Sequence, residues 1–271
     1  MMSVAVSDIK VYPLQTNSGW LVHGDCLDEL PKLKERPRLI FADPPYNIGV
    51  DYGPGKKADK RDPDDYLAWC ESWMQACVDV LADDGSLWVM ICDEWAAHFG
   101  IILQRLGLHR RAWIKWYETF GVNCTRNFNR TSRHIFYCVK DPERFVFNRD
   151  AVIRPSDRQT KYNDKRADPA GKILDDVWQV PRLVGNARER VAGVPTQLPL
   201  AILRRIVGCA SNVGDLLADP FCGSGTTAVA ACELERHWWT CDVNKSYLSI
   251  THRRVQKAYD ARKCLWRPEE W

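Results

Sequence analysis

Apolar runs of strand length alternate along most of this chain with longer segments of helical spacing. Residues 19–25 (GWLVHGD), 38–43 (RLIFAD) and 86–91 (SLWVMI) are compact apolar stretches of the kind that form buried strands. Between the second and third, residues 64–85 carry apolar positions at helical intervals and end at Gly85, which predicts a helix stopped by glycine. Asp93 is placed to cap the next helix. Residues 110–118 (RRAWIKWYE) and 133–140 (RHIFYCVK) read as two further strands. From 141 to about 194 the periodicity gives way to charges, proline and glycine. It returns as a helix at 196–211, a strand at 215–221, a helix at 226–235, a strand at 237–243 and a closing helix at 246–263. Strands alternating with helices predict a mostly parallel sheet covered on both faces. The expected organisation is one core made of residues 1–140 and 195–271, with 141–194 inserted into it.

Composition narrows the class only slightly. The 271 residues are 45% hydrophobic and 27% charged, ordinary for a globular protein, and the formal net charge is +3. No apolar run has the length of a membrane span, and Asp8 with no basic start argues against a signal peptide. The eleven cysteines include no CxxC pair and most stand in apolar surroundings, so they read as reduced, buried thiols of a cytoplasmic protein. The six histidines are scattered, and no metal is expected.

Two short segments carry the chemistry. Residues 41–47 (FADPPYN) end a strand with Asp43-Pro44-Pro45-Tyr46. Two prolines fix two backbone φ angles and force Asp43 out of the helical region. Residues 218–231 (ADPFCGSGTTAVAA) run from a strand through Gly223-Ser224-Gly225 into a helix starting at Thr226, a turn that permits close approach of backbone to a ligand. Gly225 is expected to serve that approach. The spacing is not that of a dinucleotide fingerprint, and there is no phosphate-loop lysine. The next strand ends at Asp242, where nucleoside-binding folds place a carboxylate for ribose hydroxyls.

DPPY together with DPFCGSGTT resembles the DNA amino-methyltransferases that use S-adenosylmethionine (SAM), and the acceptor motif preceding the glycine loop resembles the β-class order of that family. The resemblance implies a Rossmann-like α/β fold with a mostly parallel seven-stranded sheet and a small target-recognition insertion. It implies a cofactor site at Asp25 and Cys26, at Thr196 and Gln197 in VPTQLP, at Asp219, Phe221, Gly223, Ser224, Gly225, Thr226 and Thr227, and at Asp242. The family often has His and Lys where this chain has Val194 and Leu198, and glycine where it has Thr240. The catalytic set is Asp43, Pro44, Pro45 and Tyr46. An exocyclic amine is a poor nucleophile because its lone pair is delocalised into the ring. Asp43 and the Pro44 carbonyl would accept its N–H bonds, and Tyr46 would stack on a base swung out of the duplex.

The expected partner is double-stranded DNA. Residues 104–140 hold eight Lys or Arg and one acid, Glu118, and interleave arginines with amides and hydroxyls. Arg126, Arg130 and Arg133 are the expected DNA contacts there, with Lys161, Lys165 and Arg166 in the insertion. Residues 49–65 read as a mobile loop that closes over the base. A cognate restriction endonuclease as functional partner and a homodimer are compatible with the family. The expected product is N6-methyladenine, because the motif begins with Asp; N4-methylcytosine is the alternative. A catalytically silent DNA-binding remnant is the reading from another class, and a nicotinamide oxidoreductase would explain the glycine loop but not DPPY.

Overall fold

A computed structural model describes residues 10–13, 18–52 and 59–265. The strands are β1 (Lys10–Pro13), β2 (Ser18–His23), β3 (Leu39–Ala42), β4 (Ser86–Ile91), β5 (His109–Val122), β6 (Arg130–Val139), β7 (Ile153–Arg154), β8 (Lys172–Ile173), β9 (Val177–Gln179), β10 (Leu216–Asp219) and β11 (His237–Asp242). The helices are α1 (Cys26–Glu29), α2 (Pro63–Val80), α3 (Asp93–Arg105), α4 (Asp157–Thr160), α5 (Leu200–Ala210), α6 (Thr226–Glu233) and α7 (Lys245–Leu265).

One sheet organises the molecule, in the order β1-β2-β11-β10-β3-β4-β6-β5-β9. Its central seven strands are those expected from the apolar runs, and β1 and β9 extend the two edges. The neighbours from β2 through β4 are all parallel, whereas β6 is antiparallel to both β4 and β5. β10 lies beside β3, with Leu217 opposite Leu39 and Ala218 opposite Ile40. The two chemistry-bearing segments therefore leave adjacent strands at the same end of the sheet, at the switch in chain order where open α/β sheets bind ligands.

Burial on both faces explains why these strands are continuously apolar rather than alternating. In β4, Leu87, Val89 and Ile91 pack into the layer that includes α2 and α3 residues, while Trp88 and Met90 face the layer that includes α5 and α6 residues. Trp88 also stacks on Tyr137 of β6, with centroids 4.1 Å apart.

Several local expectations are corrected. α2 ends at Val80 rather than Gly85: Leu81 turns extended and buries fully, and Asp62 caps the start by accepting from the Asp64 N–H. Asp93 is the first residue of α3, and Cys92 takes the capping position. α5 starts at Leu200 rather than near 196, because Pro199 holds an extended conformation and disfavours the helical region for Leu198. Within the expected insertion at 141–194, one short strand is part of the main sheet. β9 joins it beside β5, and Trp116 donates through Nε1 to the Val180 carbonyl at 2.7 Å.

Candidate active site

The ends of β3, β10 and β11 open onto one cleft of about 1120 Å³. It is lined by Asp25 and Cys26, Asp43 through Tyr46, Thr196 and Gln197, Asp219 through Ser224, Thr226, Thr227 and Asp242. The fold thus brings together segments more than 150 residues apart.

The acceptor segment is pinned from both sides. Tyr66 donates its hydroxyl to the Pro45 carbonyl at 2.8 Å, and Trp95 Nε1 donates to the Tyr46 carbonyl at 2.8 Å. Asp59 fixes residues 47–50: its carboxylate accepts the N–H groups of Asn47, Ile48 and Val50 at 2.9, 3.2 and 2.9 Å. Asn47 takes φ of 60°, in the left-handed region that Asn tolerates. The expected closing loop lies partly at 53–58, outside the described residues; its flanks are tied down by Asp59 and by Asn244, whose amide donates to the Tyr52 carbonyl at 2.7 Å.

Asp43 is half-buried in the cleft wall, and desolvation there pushes its carboxyl up to about 6. The Tyr46 hydroxyl, donating to Oδ1 at 2.5 Å, and the Arg133 guanidinium pull it down; Glu118 pushes it up. Tyr46, expected as a stacking face, lines the cleft. Its ring is only 8% exposed, and Arg133 stands over its face at 5.4 Å from the centroid. Its hydroxyl engages the carboxylate, and Arg133 stands over one face of the ring.

Arg133, expected as a DNA contact, is half-buried and lines the cleft. Glu118, the single acid in the basic run, is buried and pairs with it at 3.2 Å. Sequence reasoning missed Glu118, although an acid alternating with Trp116 and Ile114 on the inward side of β5 was a usable sign. Arg126, Arg130, Lys161, Lys165 and Arg166 lie outside the cleft lining. Arg130 approaches Asp93 at 3.7 Å, Lys161 pairs with Asp157 at 2.9 Å, and Arg166 forks onto Asp164 at 3.0 Å. Arg182 and Arg190, which no sequence signal singled out, do line the cleft.

The glycine loop and Asp242 brace each other. Asp242 accepts the Gly223 N–H at 2.9 Å and the Asn244 N–H at 2.8 Å, one on each oxygen. Burial nonetheless pushes its carboxyl up from the ordinary range. Asp219 is buried and pushed up to about 7, first by desolvation and further by Asp43 and Asp242 nearby; bonds from Thr227 and from the Phe221 N–H pull the other way. Phe221 packs edge-on against Trp73 at 5.1 Å. Asp25 caps α1 through the Leu27 N–H at 2.9 Å.

Of the expected cofactor residues, Gln197 lines the cleft and also braces its wall, whereas Gly225 stands apart. Gly225 is not in the cleft lining. Its φ is 73°, and a Cβ there would overlap the Thr251 side chain, so glycine serves the turn and the packing of α7. The buried Gln197 amide accepts from the Val191 N–H at 2.8 Å and donates to the Glu189 carbonyl at 2.7 Å, holding the 189–191 segment at the cleft wall.

Strand order and a cleft at the carboxyl ends of the parallel strands define a Rossmann-like α/β ligand-binding protein. The comparisons with known proteins agree. Residues 38–253 match a family model of the N6/N4 type described as DNA methylase. The type II methyltransferase M.HpaI of Haemophilus parainfluenzae is 30% identical over 242 residues, covering 89% of this chain and 75% of that protein. The DNA adenine methyltransferase YhdJ of Escherichia coli is 32% identical over 246 residues, covering 88% and 83%. Among solved structures, the PvuII cytosine-N4-specific DNA methyltransferase matches with a TM-score of 0.65 at 15% identity, covering 89% and 91%. The M1.HpyAVI–SAM complex matches with a TM-score of 0.64 at 19% identity, covering 88% and 98%. The chain belongs to the N6/N4 DNA methylase family.

Proposed function

We propose that this protein transfers a methyl group from SAM to the N6 amine of adenine in double-stranded DNA. One observation carries the reading: Asp43 and the braced Asp242–Gly223 loop face the same cleft from neighbouring strands. At about 1120 Å³ that cleft exceeds the usual range for a single small ligand and leaves room for a cofactor and an extruded base together. The family and the names of the relatives point the same way, since M1.HpyAVI was solved with SAM and YhdJ is a DNA adenine methyltransferase.

The donor set fits a nucleoside cofactor. Asp242 ends β11 with its carboxylate already oriented by two backbone N–H groups, and it offers further acceptor capacity to ribose hydroxyls. Asp25, Thr196 and the 219–224 wall line the same space. When bound, SAM supplies an electrophilic methyl group on a sulfonium.

The remaining chemistry falls to the chain's own side chains. With its carboxyl at about 6, Asp43 is mostly ionised at pH 7. Its carboxylate accepts an N–H of the amine, favours a localised lone pair, and holds the nitrogen in line for transfer. It also stands where the nitrogen must shed a proton after gaining a methyl group, and a carboxylate near 6 can take that proton.

Adenine is preferred to cytosine because the motif begins with Asp and because a named relative acts on adenine. Incubating the protein with SAM and DNA, digesting to nucleosides and separating them by mass spectrometry tests this. N6-methyladenine is expected; N4-methylcytosine alone would refute the base assignment. Work on genomic DNA implies a cytoplasmic, DNA-associated protein, and the type II names among its relatives make a paired endonuclease part of the proposal. Among the described residues no helix is long and apolar enough to cross a membrane.

A further inference from the structure

The β5–β6 hairpin presents a large side chain to solvent with no evident structural purpose. Phe128 is 93% exposed at its tip, the highest exposure of any large hydrophobic among the described residues. The tip is built, not frayed. The Asn129 side chain accepts the Cys124 N–H at 2.8 Å, and the Asn127 side chain accepts the Phe128 N–H at 2.8 Å. Below the tip, pairing slips between Tyr117 and Val122. There Thr119 takes φ of 60°, costly for a β-branched residue, and Gly121 lies so close to the Arg130 carbonyl that a Cβ would overlap it. Strain of this kind persists where the surrounding structure holds a segment in a set direction.

The direction is toward the mouth of the cleft. His134 of β6 stands opposite Ile91, the last residue of β4. Residues 130–133, paired only with β5, therefore run past the end of β4 on the side where Asp43 sits, by roughly 13 Å at the strand rise, and the tip reaches further. From Thr119 to Arg133 the chain carries Arg126, Arg130 and Arg133 and no acid. Arg126 and Arg130 are exposed on either side of Phe128. An exposed aromatic ring flanked by cations complements one partner well, a stack of bases between two phosphate backbones.

We infer that the β5–β6 hairpin is a wedge that inserts Phe128 into the base stack of double-stranded DNA, filling the space an extruded base leaves, while Arg126 and Arg130 hold the flanking phosphates. This rests on the DNA-modifying role proposed above, but it assigns a specific side chain to base extrusion. Tyr46 is left to the pocket, which suits a ring buried under Arg133. Wedge side chains of this kind fill the stack on the duplex side while the base enters the enzyme.

The test needs neither SAM nor a known recognition site. Fluorescence anisotropy is measured on two short labelled duplexes of the same arbitrary sequence, one intact and one with a central abasic position. The native chain should prefer the abasic duplex by about tenfold or more, the range expected for one base–aromatic stack. Phe128→Ala should bring the two affinities within twofold of each other, and Phe128→Trp should keep the preference. Arg126→Ala should weaken both duplexes alike. No preference in the native chain, or an undiminished one in Phe128→Ala, overturns the wedge. Because Phe128 touches solvent almost entirely, its removal leaves the fold intact. Methyl transfer by the native chain is read separately by nucleoside analysis, so either claim can fail without the other.

Discussion

Replacing Asp43 with asparagine should stabilise the protein while abolishing its activity. Burial lifts this carboxyl from an ordinary value of 3.8 to about 6. Between those values the folded chain binds more protons than the unfolded one, so stability falls as pH rises from about 4 to 6 and stays low above. A difference of about two pH units corresponds to about 3 kcal/mol, and relaxation around the site brings the expected gain on removing the charge to about 2 kcal/mol. Asparagine keeps an oxygen for the Tyr46 hydroxyl, and Arg133 keeps Glu118, so little else is lost. Urea denaturation of both proteins at pH 8 and pH 4.5 measures the effect. The variant should be more stable by about 2 kcal/mol at pH 8, and the gap should close largely at pH 4.5. An Asp43→Asn protein no more stable than the native chain at pH 8, or a gap independent of pH, would refute the claim that a buried charge is held against its desolvation cost. Methyl transfer should fall by orders of magnitude, because a neutral amide neither withdraws the proton nor polarises the amine.

Three further outcomes rest on neighbouring contacts. Tyr46→Phe removes a hydrogen bond that lowers the Asp43 carboxyl, so the acidic limb of kcat/KM should move above about 6; an unmoved limb counts against that bond. Glu118→Gln removes a charge that raises the same carboxyl and should move the limb downward, so the two variants must shift in opposite senses across pH 5 to 8. Gly225→Ala should cost about 2–4 kcal/mol in urea denaturation, from left-handed strain and overlap with Thr251. Calorimetric SAM affinity of the folded fraction should stay within a few-fold of native; its complete loss would restore Gly225 to the cleft wall.

Most of the frame was legible in the sequence because periodicity and turn chemistry are local. Apolar runs such as SLWVMI, with residues on both faces buried, could belong only to a covered strand. The double proline ended β3 where it had to end, and the acceptor and glycine motifs were recognisable by type and order. The features that escaped depended on which distant groups meet. Glu118 read as one acid in a basic strand, yet folding buries it against Arg133, whose guanidinium in turn covers Tyr46. Gly225 read as a ligand-facing glycine, and only the packing of α7 shows it turned toward Thr251. Gln197 read as a polar contact, and only the fold shows its amide also holding the backbone at 189 and 191. The sequence by itself determined the seven central strands, the main helices between them and the chemical types at their ends, because backbone preferences act over a few residues. Only the tertiary structure decided which side chains face the cleft, how far burial lifts Asp43 and Asp219, and which arginines are already engaged, because desolvation and charge pairing depend on neighbours contributed from far along the chain.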